Sequence, residues 1–202
     1  MTRTSPLAWT AIGLAAAAQL VIAVLAAALS AQVNPLRDPV SDYVFHRDGR
    51  AAFEFAVLLV LAAGAALAAA VYFANVPLDT RVNVLFGLWV AGLLIVLMFR
   101  GNTSATETSV HGQLHRFGGA LLFASLPLAC QALARRLRTE PGWTAAAARL
   151  RLPAVAGLVT AAAFGFAQFV PALPEGLLER IALTAELGIL VTAALAVRSA
   201  VR

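Results

Sequence analysis

The sequence predicts an all-α integral membrane protein built as a polytopic bundle of six transmembrane helices. Of its 202 residues, 61% are hydrophobic and 12% are charged, whereas a soluble domain of this length needs more charge to cover its surface. Apolar runs of about 20 residues, the length that crosses a hydrocarbon core of ~30 Å, recur six times. No polar tail or linker separates them, so we expect residues 1–202 to form a single transmembrane domain.

Each predicted span is bounded by residues that favour turns or the water interface. In chain order the spans cover about 7–30, 51–74, 82–99, 111–134, 152–170 and 177–197. The corresponding boundary signals are Asn34-Pro35, Asp48-Gly49-Arg50, Pro77 with Asp79, Arg100-Gly101-Asn102, Pro141-Gly142, and the segment from Pro171 to Pro174. The longest connection between predicted spans is the loop at 31–50, followed by the basic connection at 135–151.

The distribution of arginines predicts the orientation, because loops that stay in the cytoplasm retain positive charge. With the N-terminus inside, the cytoplasmic segments hold most of the basic residues. These are Arg3, Arg81, Arg135, Arg136, Arg138, Arg149, Arg151, Arg198 and Arg202. We therefore expect a multi-pass protein of the cytoplasmic membrane with both termini on the cytoplasmic side.

The formal net charge of +5 does not indicate a nucleic-acid partner. All basic residues are arginines, and most of them lie between apolar runs, where insertion into a membrane explains them. Membrane lipids are the expected partners, and the sequence does not predict an oligomeric state.

Polar side chains that are costly in lipid collect at the predicted outer ends of the spans, and such residues often mark a functional site. They are Ser41, Asp42 and His46 in the first outer loop, Glu54 in the second span, His111, His115 and Arg116 in the fourth, and Glu186 in the sixth. The inner halves of the spans have almost no ionisable residues. We therefore expect a polar pocket that opens on the outer side.

The spacing of the histidines suggests a metal site. His111 and His115 are four residues apart, so both imidazoles project from one face of a helix. With His46 as a third ligand, this set would be sufficient for zinc with an open position for water. Asp42 or Glu54 would then act as a general base, or orient an imidazole.

Other interpretations of the same residues remain open. His115 could donate a hydrogen bond to Glu54 or Glu186, and Arg116 could pair with Glu186, which would make the pocket a structural polar network. Two histidines on different helices could also hold haem as axial ligands.

Two short motifs resemble a known family. The segment from Asn34 to Tyr43, NPLRDPVSDY, and the segment from Val110 to His115, VHGQLH, are similar to bacterial membrane proteins of the domain of unknown function 998 family. The six-helix layout matches that family over essentially the whole chain. The resemblance implies a fold and a membrane location, and it implies no activity.

A more distant likeness concerns residues that bind metal and catalyse hydrolysis in another superfamily of membrane proteins. The chain has a serine and a histidine near one helix end and a His-x-x-x-His pair on another helix. This combination is similar to the pattern of the transmembrane zinc hydrolases of the ceramidase and adiponectin-receptor superfamily. The matching positions are Ser41, His46, His111 and His115. The chain departs from that pattern, because it has six spans instead of seven and carries the histidine pair on the fourth.

The leading hypothesis is therefore a zinc-dependent hydrolase of a lipid or another amphipathic substrate, with catalytic groups at Ser41, Asp42 and Glu54. The alternative is a non-enzymatic membrane protein, either a small transporter or a structural partner protein. Transport is less favoured, because the inner halves of the spans offer no polar path.

Overall fold

The computed structural model describes residues 4–102 and 109–200, and this part of the chain is helical without any strand. Its helices are α1 Thr4–Ala28, α2 Arg47–Phe73, α3 Thr80–Met98, α4 Val110–Leu137, α5 Thr144–Ala167 and α6 Glu175–Ala200, with a short 3-10 helix, η1, at Val40–Phe45. Within the described ranges, six helices are long and apolar enough to cross a membrane. The predicted fold class is confirmed.

Consecutive helices pack side by side with opposite directions. Helices α3 and α4 approach closely at Gly92, where a Cβ atom would lie 2.6 Å from the backbone nitrogen of Leu122. Helix α1 packs on α2 and α6, and α4 packs on α3 and α5. The face of α1 toward its neighbours is made of small residues, Ala8, Ala11, Ala15 and Ala18, which allow helices to approach closely in a membrane.

The alternating directions place helix ends at two faces of the bundle. We call one the arginine-rich face, because it holds the helix ends and connections with Arg81, Arg135, Arg136, Arg138, Arg149 and Arg151. The opposite face, here the loop face, holds η1, the segments that join α1 to α2 and α5 to α6, the end of α3 and the start of α4. The arginine distribution predicts that the loop face is the outer one.

The fifth helix differs from the sequence prediction at its start. It begins at Thr144 instead of near 152, so Pro153 lies inside the helix and not at its beginning. The run of alanines from Ala145 to Ala148 explains the difference, because alanine has the highest helix propensity. Membrane helices also tolerate internal proline where neighbouring groups compensate for the lost hydrogen bond. The basic segment before 152 is therefore mostly helix rather than loop.

Candidate functional site

The first loop packs against the start of α6 on the loop face. The backbone N–H of Leu177 donates to the carbonyl of Leu36 at 3.2 Å. At Gly176 the loop comes so close that a Cβ atom would collide with the backbone of Asp38. Glycine is therefore needed at this position, and the loop is a fixed part of the bundle.

The Arg180 side chain of α6 holds the first loop in place through several hydrogen bonds. Its Nη1 atom donates to the carbonyl oxygens of Pro35 at 3.0 Å, Asp38 at 2.9 Å and Gly176 at 2.9 Å. Its Nη2 atom donates to the Tyr43 hydroxyl at 3.1 Å, and the guanidinium lies 5.8 Å from the centre of the Tyr43 ring. The two terminal nitrogens thus donate to carbonyl oxygens and to the Tyr43 hydroxyl, whereas the buried Nε atom of Arg180 has no hydrogen-bond partner among the described residues.

Glu179 forms the second contact between the loop and α6. Its Oε2 atom accepts a hydrogen bond of 2.6 Å from the backbone N–H of Val40, at the start of η1. Glu179 is only 8% exposed. Its carboxylate therefore provides an acceptor for the Val40 N–H, which would otherwise be buried without a hydrogen-bond partner. We refer to Val40, Tyr43, Gly176, Glu179 and Arg180 together as the loop–α6 clamp.

Asp42 faces this clamp. Burial, followed by the negative charges of Asp38 and Glu175, raises the pKa of Asp42 to about 6, and the nearby Arg180 opposes that shift. Its surroundings are therefore the acidic side chains of the loop and α6, whereas Ser41, one position earlier, lines a different site.

That site is a cavity of about 110 Å³ on the loop face, which we call the outer cavity. Ser41 of η1, Glu54 of α2 and His115 of α4 all line it, so three of the residues predicted from the sequence come together there. Arg50 and Arg100 line it as well. A volume near 110 Å³ is enough for a few water molecules, which occupy about 30 Å³ each in the liquid, or for one small polar group.

Charges in the outer cavity are only partly paired. The Arg50 Nε atom donates to Glu54 Oε1 at 2.8 Å, one helical turn away. Arg100 pairs with no carboxylate within residues 4–102 and 109–200. The cavity therefore offers a guanidinium to an anionic group, or to negative charge that develops on an oxygen atom.

His115 is held in a defined orientation. Its Nδ1 atom lies 2.8 Å from the carbonyl oxygen of Phe99. A carbonyl can only accept, so Nδ1 carries the hydrogen, and in the neutral imidazole Nε2 is left with its lone pair. An imidazole fixed in this way can accept a proton or bind a metal.

The other two histidines lie elsewhere. His111 is exposed and packs its ring on Phe99, with the ring centres 5.5 Å apart. His46 joins η1 to α2 and does not line the outer cavity. In the described part of the chain, no group of three or more His, Cys, Asp and Glu residues is arranged to hold a metal ion. His46, His111 and His115 are therefore not arranged as one ligand set in this structure. Zinc binding stays a prediction, and no step is assigned to the metal.

Arg116 and Glu186 do not form the ion pair that was one interpretation of the sequence. Arg116 follows His115 directly on α4, so when the imidazole faces inward the guanidinium faces outward, and it is exposed. Glu186 is only 4% exposed and lies 11 positions into α6, about 16 Å from its start. Neither residue lines the outer cavity.

The neighbour of Glu186 is an aromatic side chain. The indole N–H of Trp89 lies near its carboxyl group, but neither the indole nitrogen nor the two carboxyl oxygens form a hydrogen bond with the described residues. One interpretation of the sequence gave His115 a hydrogen bond to Glu54 or Glu186, whereas in the structure its Nδ1 atom is bonded to the Phe99 carbonyl oxygen.

The loop–α6 clamp was not predicted from the sequence. A signal was present, because Gly176 precedes Glu179 and Arg180 at the start of α6 and Tyr43 ends the NPLRDPVSDY motif. The motif thus carries the residues that Arg180 and Glu179 hold in place.

Comparison with known proteins identifies a family. The family model described as "Protein of unknown function (DUF998)" matches residues 14–196, which is nearly the whole chain. No curated protein and no solved structure matches the chain. The match includes all six transmembrane helices and both motifs, and the chain belongs to the DUF998 family of proteins of unknown function.

Proposed function

We propose that this protein is a membrane-embedded hydrolase whose outer cavity holds the polar part of a lipid or another amphipathic substrate. The observation that supports the proposal best is the convergence of Ser41, Glu54 and His115, from three separate elements, on one small cavity. Hydrolysis needs an attacking oxygen, a base to take its proton and a positive group to stabilise the oxyanion. The residues around this cavity supply groups of each kind.

His115 is the proposed base. Its Nε2 atom would take the proton from the attacking oxygen, which is either the Ser41 hydroxyl or a water molecule, and would return it to the leaving group as the scissile bond breaks. If Ser41 attacks, the acyl group is held on its oxygen as an ester, and a water molecule deprotonated by His115 then releases the fatty acid and restores the serine. Arg100 would stabilise the negative charge on the substrate. Glu54 would keep Arg50 in position, because the two side chains are already paired at 2.8 Å.

A zinc-dependent version of the same function keeps His115 as a ligand. It requires His46 and His111 to move toward His115, and the geometry described above gives no support for such a set. Metal analysis of the purified protein is therefore part of the test rather than an assumption of the mechanism.

The rival proposal is a non-enzymatic membrane protein whose polar residues only fix the loop. The loop–α6 clamp supports this for Arg180 and Glu179, whose hydrogen bonds all go to the loop or to their own helix. It does not account for Ser41, Arg100 and His115, which line the cavity without taking part in the clamp.

The test is release of fatty acid from a panel of lipid esters and lipid amides by protein purified in mild detergent without chelators or a nickel column. We expect His115→Ala to lower the rate about 10²-fold or more, and Ser41→Ala to lower it if the serine attacks. His111→Ala is the matched control, because this histidine is on the same helix but exposed.

Absence of hydrolysis across the panel, or equal rates for His115→Ala and the wild type, would contradict the proposal and favour the non-enzymatic rival. Plasma mass spectrometry and a visible spectrum on the same sample separate the cofactor alternatives. About one equivalent of zinc that both His111→Ala and His115→Ala remove would favour the metal-dependent version, and a Soret band would favour haem.

A further inference from the structure

A larger and mostly apolar cavity lies at the other end of the bundle. It has a volume of about 640 Å³ and is bordered by the ends of α2, α4 and α6 and the starts of α3 and α5 at the arginine-rich face. Leu67, Leu126, Leu133 and Ile189 are among the side chains that line it. We call it the inner cavity. Its volume is within the range of about 300–1,000 Å³ that is typical of ligand sites.

The inner cavity has the depth of one membrane leaflet. On α4 its lining runs from Leu137, the last helical residue, to Leu126. At 1.5 Å per residue these 11 positions span about 16 Å. Half of a hydrocarbon core of ~30 Å is about 15 Å. A lipid acyl chain that enters from the arginine-rich face would therefore lie in the inner cavity over a length of about one leaflet.

Trp89 lies on α3 beyond the inner cavity and does not line it, and no residue lines both this cavity and the outer cavity. The Trp89 side chain is completely buried, one turn of α3 beyond the lining residue Phe86, and the two rings pack with centres 5.3 Å apart. The indole occupies space that Gly64 leaves free, since a Cβ atom there would lie 2.6 Å from the ring. The site is therefore a separate one from the outer cavity, and the inference does not depend on the proposed hydrolase.

The open end of the inner cavity is polar. Tyr72, Asn75 and Asn83 line it and are exposed, and the Trp143 side chain borders it as well. Arg81 is exposed two positions before Asn83, and Arg138 directly follows the lining residue Leu137. Two acidic side chains lie close to these arginines in sequence. Asp79 caps α3 by accepting a hydrogen bond of 2.9 Å from the Val82 N–H, and Glu140 pairs with Arg136.

We propose that the inner cavity binds one acyl chain of an anionic phospholipid, with the headgroup at the arginine-rich face. An apolar interior with the depth of one leaflet matches the chain. A rim of amide, hydroxyl and indole groups beside exposed arginines matches a negatively charged phosphate headgroup, because basic residues at a membrane surface attract anionic lipids.

The test uses native mass spectrometry of the full-length protein in detergent with added phosphatidylglycerol or phosphatidylcholine. We expect one phosphatidylglycerol molecule to stay bound after weaker lipids have been removed. Ala129, which lines the cavity and is buried, provides the filling variant. Ala129→Phe should lower occupancy about tenfold, whereas Ala124→Phe, at an exposed position of the same helix, should not change it.

Arg81→Gln should reduce the preference for phosphatidylglycerol over phosphatidylcholine. Equal retention of the two lipids by the wild type would overturn the anionic part of the proposal. Equal occupancy in Ala129→Phe and Ala124→Phe, or retention of no lipid at all, would overturn the site itself.

A second measurement needs no variant, in case Ala129→Phe fails to fold. Cys130 is the single cysteine of the chain and lines the inner cavity. Bound phosphatidylglycerol should slow its reaction with N-ethylmaleimide at least about threefold, because the chain occupies the approach to the thiol. An unchanged rate at saturating lipid would contradict the proposal.

Discussion

The Glu179 carboxylate accepts a hydrogen bond of 2.6 Å from the backbone N–H of Val40, a residue 139 positions earlier in the chain. This contact joins the first residue of η1 to the first turns of α6. It holds the loop that carries Ser41 against the bundle, so the position of one wall of the outer cavity depends on a residue outside that cavity.

Replacing Glu179 tests the structural value of this contact. Glu179→Ala leaves the Val40 N–H buried without an acceptor, which costs about 1–3 kcal/mol, so we expect a fall of several degrees in the unfolding midpoint. Glu179→Gln keeps an acceptor oxygen for the Val40 N–H and should therefore lose less stability than Glu179→Ala. The measurement is thermal unfolding in detergent followed by circular dichroism.

Glu175→Ala is the control, because Glu175 is on the same helix but accepts its hydrogen bond from Gln168 in an exposed pair. Glu175→Ala should change the free energy of unfolding by less than about 0.5 kcal/mol. If Glu179→Ala and Glu175→Ala unfold at the same temperature, the Val40 contact contributes nothing to stability.

A second prediction concerns the order of the loop. Arg180 donates from one nitrogen to three carbonyl oxygens and from another to Tyr43, and the single ammonium of lysine does not reproduce this fork. In Arg180→Lys we expect the backbone amides of η1 to exchange with deuterium about tenfold faster or more, since the loop opens more often.

Hydrogen exchange with mass spectrometry gives this readout directly, and Arg116→Lys, an exposed arginine on α4, is the matched control. Protection of η1 that is unchanged in Arg180→Lys would mean that the other clamp contacts suffice to hold the loop.

The six spans could be predicted because a run of about 20 apolar residues is a local property of the sequence. It was harder to predict which face of each helix points into the bundle. In a membrane, side chains that face lipid are as apolar as those that face the core, so periodicity of hydrophobic residues does not mark the interior. Leu152 is largely exposed, for example, whereas Leu150 is buried.

The same limit applies to the candidate site. Ser41, Glu54 and His115 line one cavity, because their order along the spans places them at one end of the bundle, and their role as a functional site stays a prediction. The prediction from the sequence misplaced Arg116 and Glu186, because pairing depends on helix rotation and on depth. The loop–α6 clamp depends on contacts between residues more than 130 positions apart, for which the local sequence has no signal beyond Gly176 and Tyr43.

A third prediction concerns pH. The pKa of Asp42 is raised to about 6 from an ordinary value near 4, so between about pH 4 and pH 6 the folded protein binds more protons than the unfolded chain. The contribution of this group to stability is therefore greatest below pH 4 and is lost as the pH rises to about 6. Solvent screening limits the loss to on the order of 1 kcal/mol.

Asp42→Asn removes this titration and should raise the unfolding midpoint at pH 7.5 by a few degrees, while leaving it unchanged at pH 4. Thermal unfolding of both proteins at the two pH values measures the difference. Because Asp38, Glu175 and Arg180 face Asp42, Asp38→Asn should shift the effect to lower pH. Parallel pH profiles for Asp42→Asn and the wild type would contradict the assignment.

The last prediction tests the packing that brings His115 to the cavity. Helices α3 and α4 meet at Gly92, where a Cβ atom would lie 2.6 Å from the Leu122 nitrogen and 2.7 Å from the Gly118 carbonyl oxygen. Backbone atoms cannot move aside as a flexible side chain can, so Gly92→Ala should separate the helices and cost about 1–3 kcal/mol. Gly87→Ala, on the same helix with no atom within 4 Å, should be neutral or slightly stabilising. Unfolding midpoints measure both changes, and a Gly92→Ala protein as stable as Gly87→Ala would show that the two helices do not need this close approach.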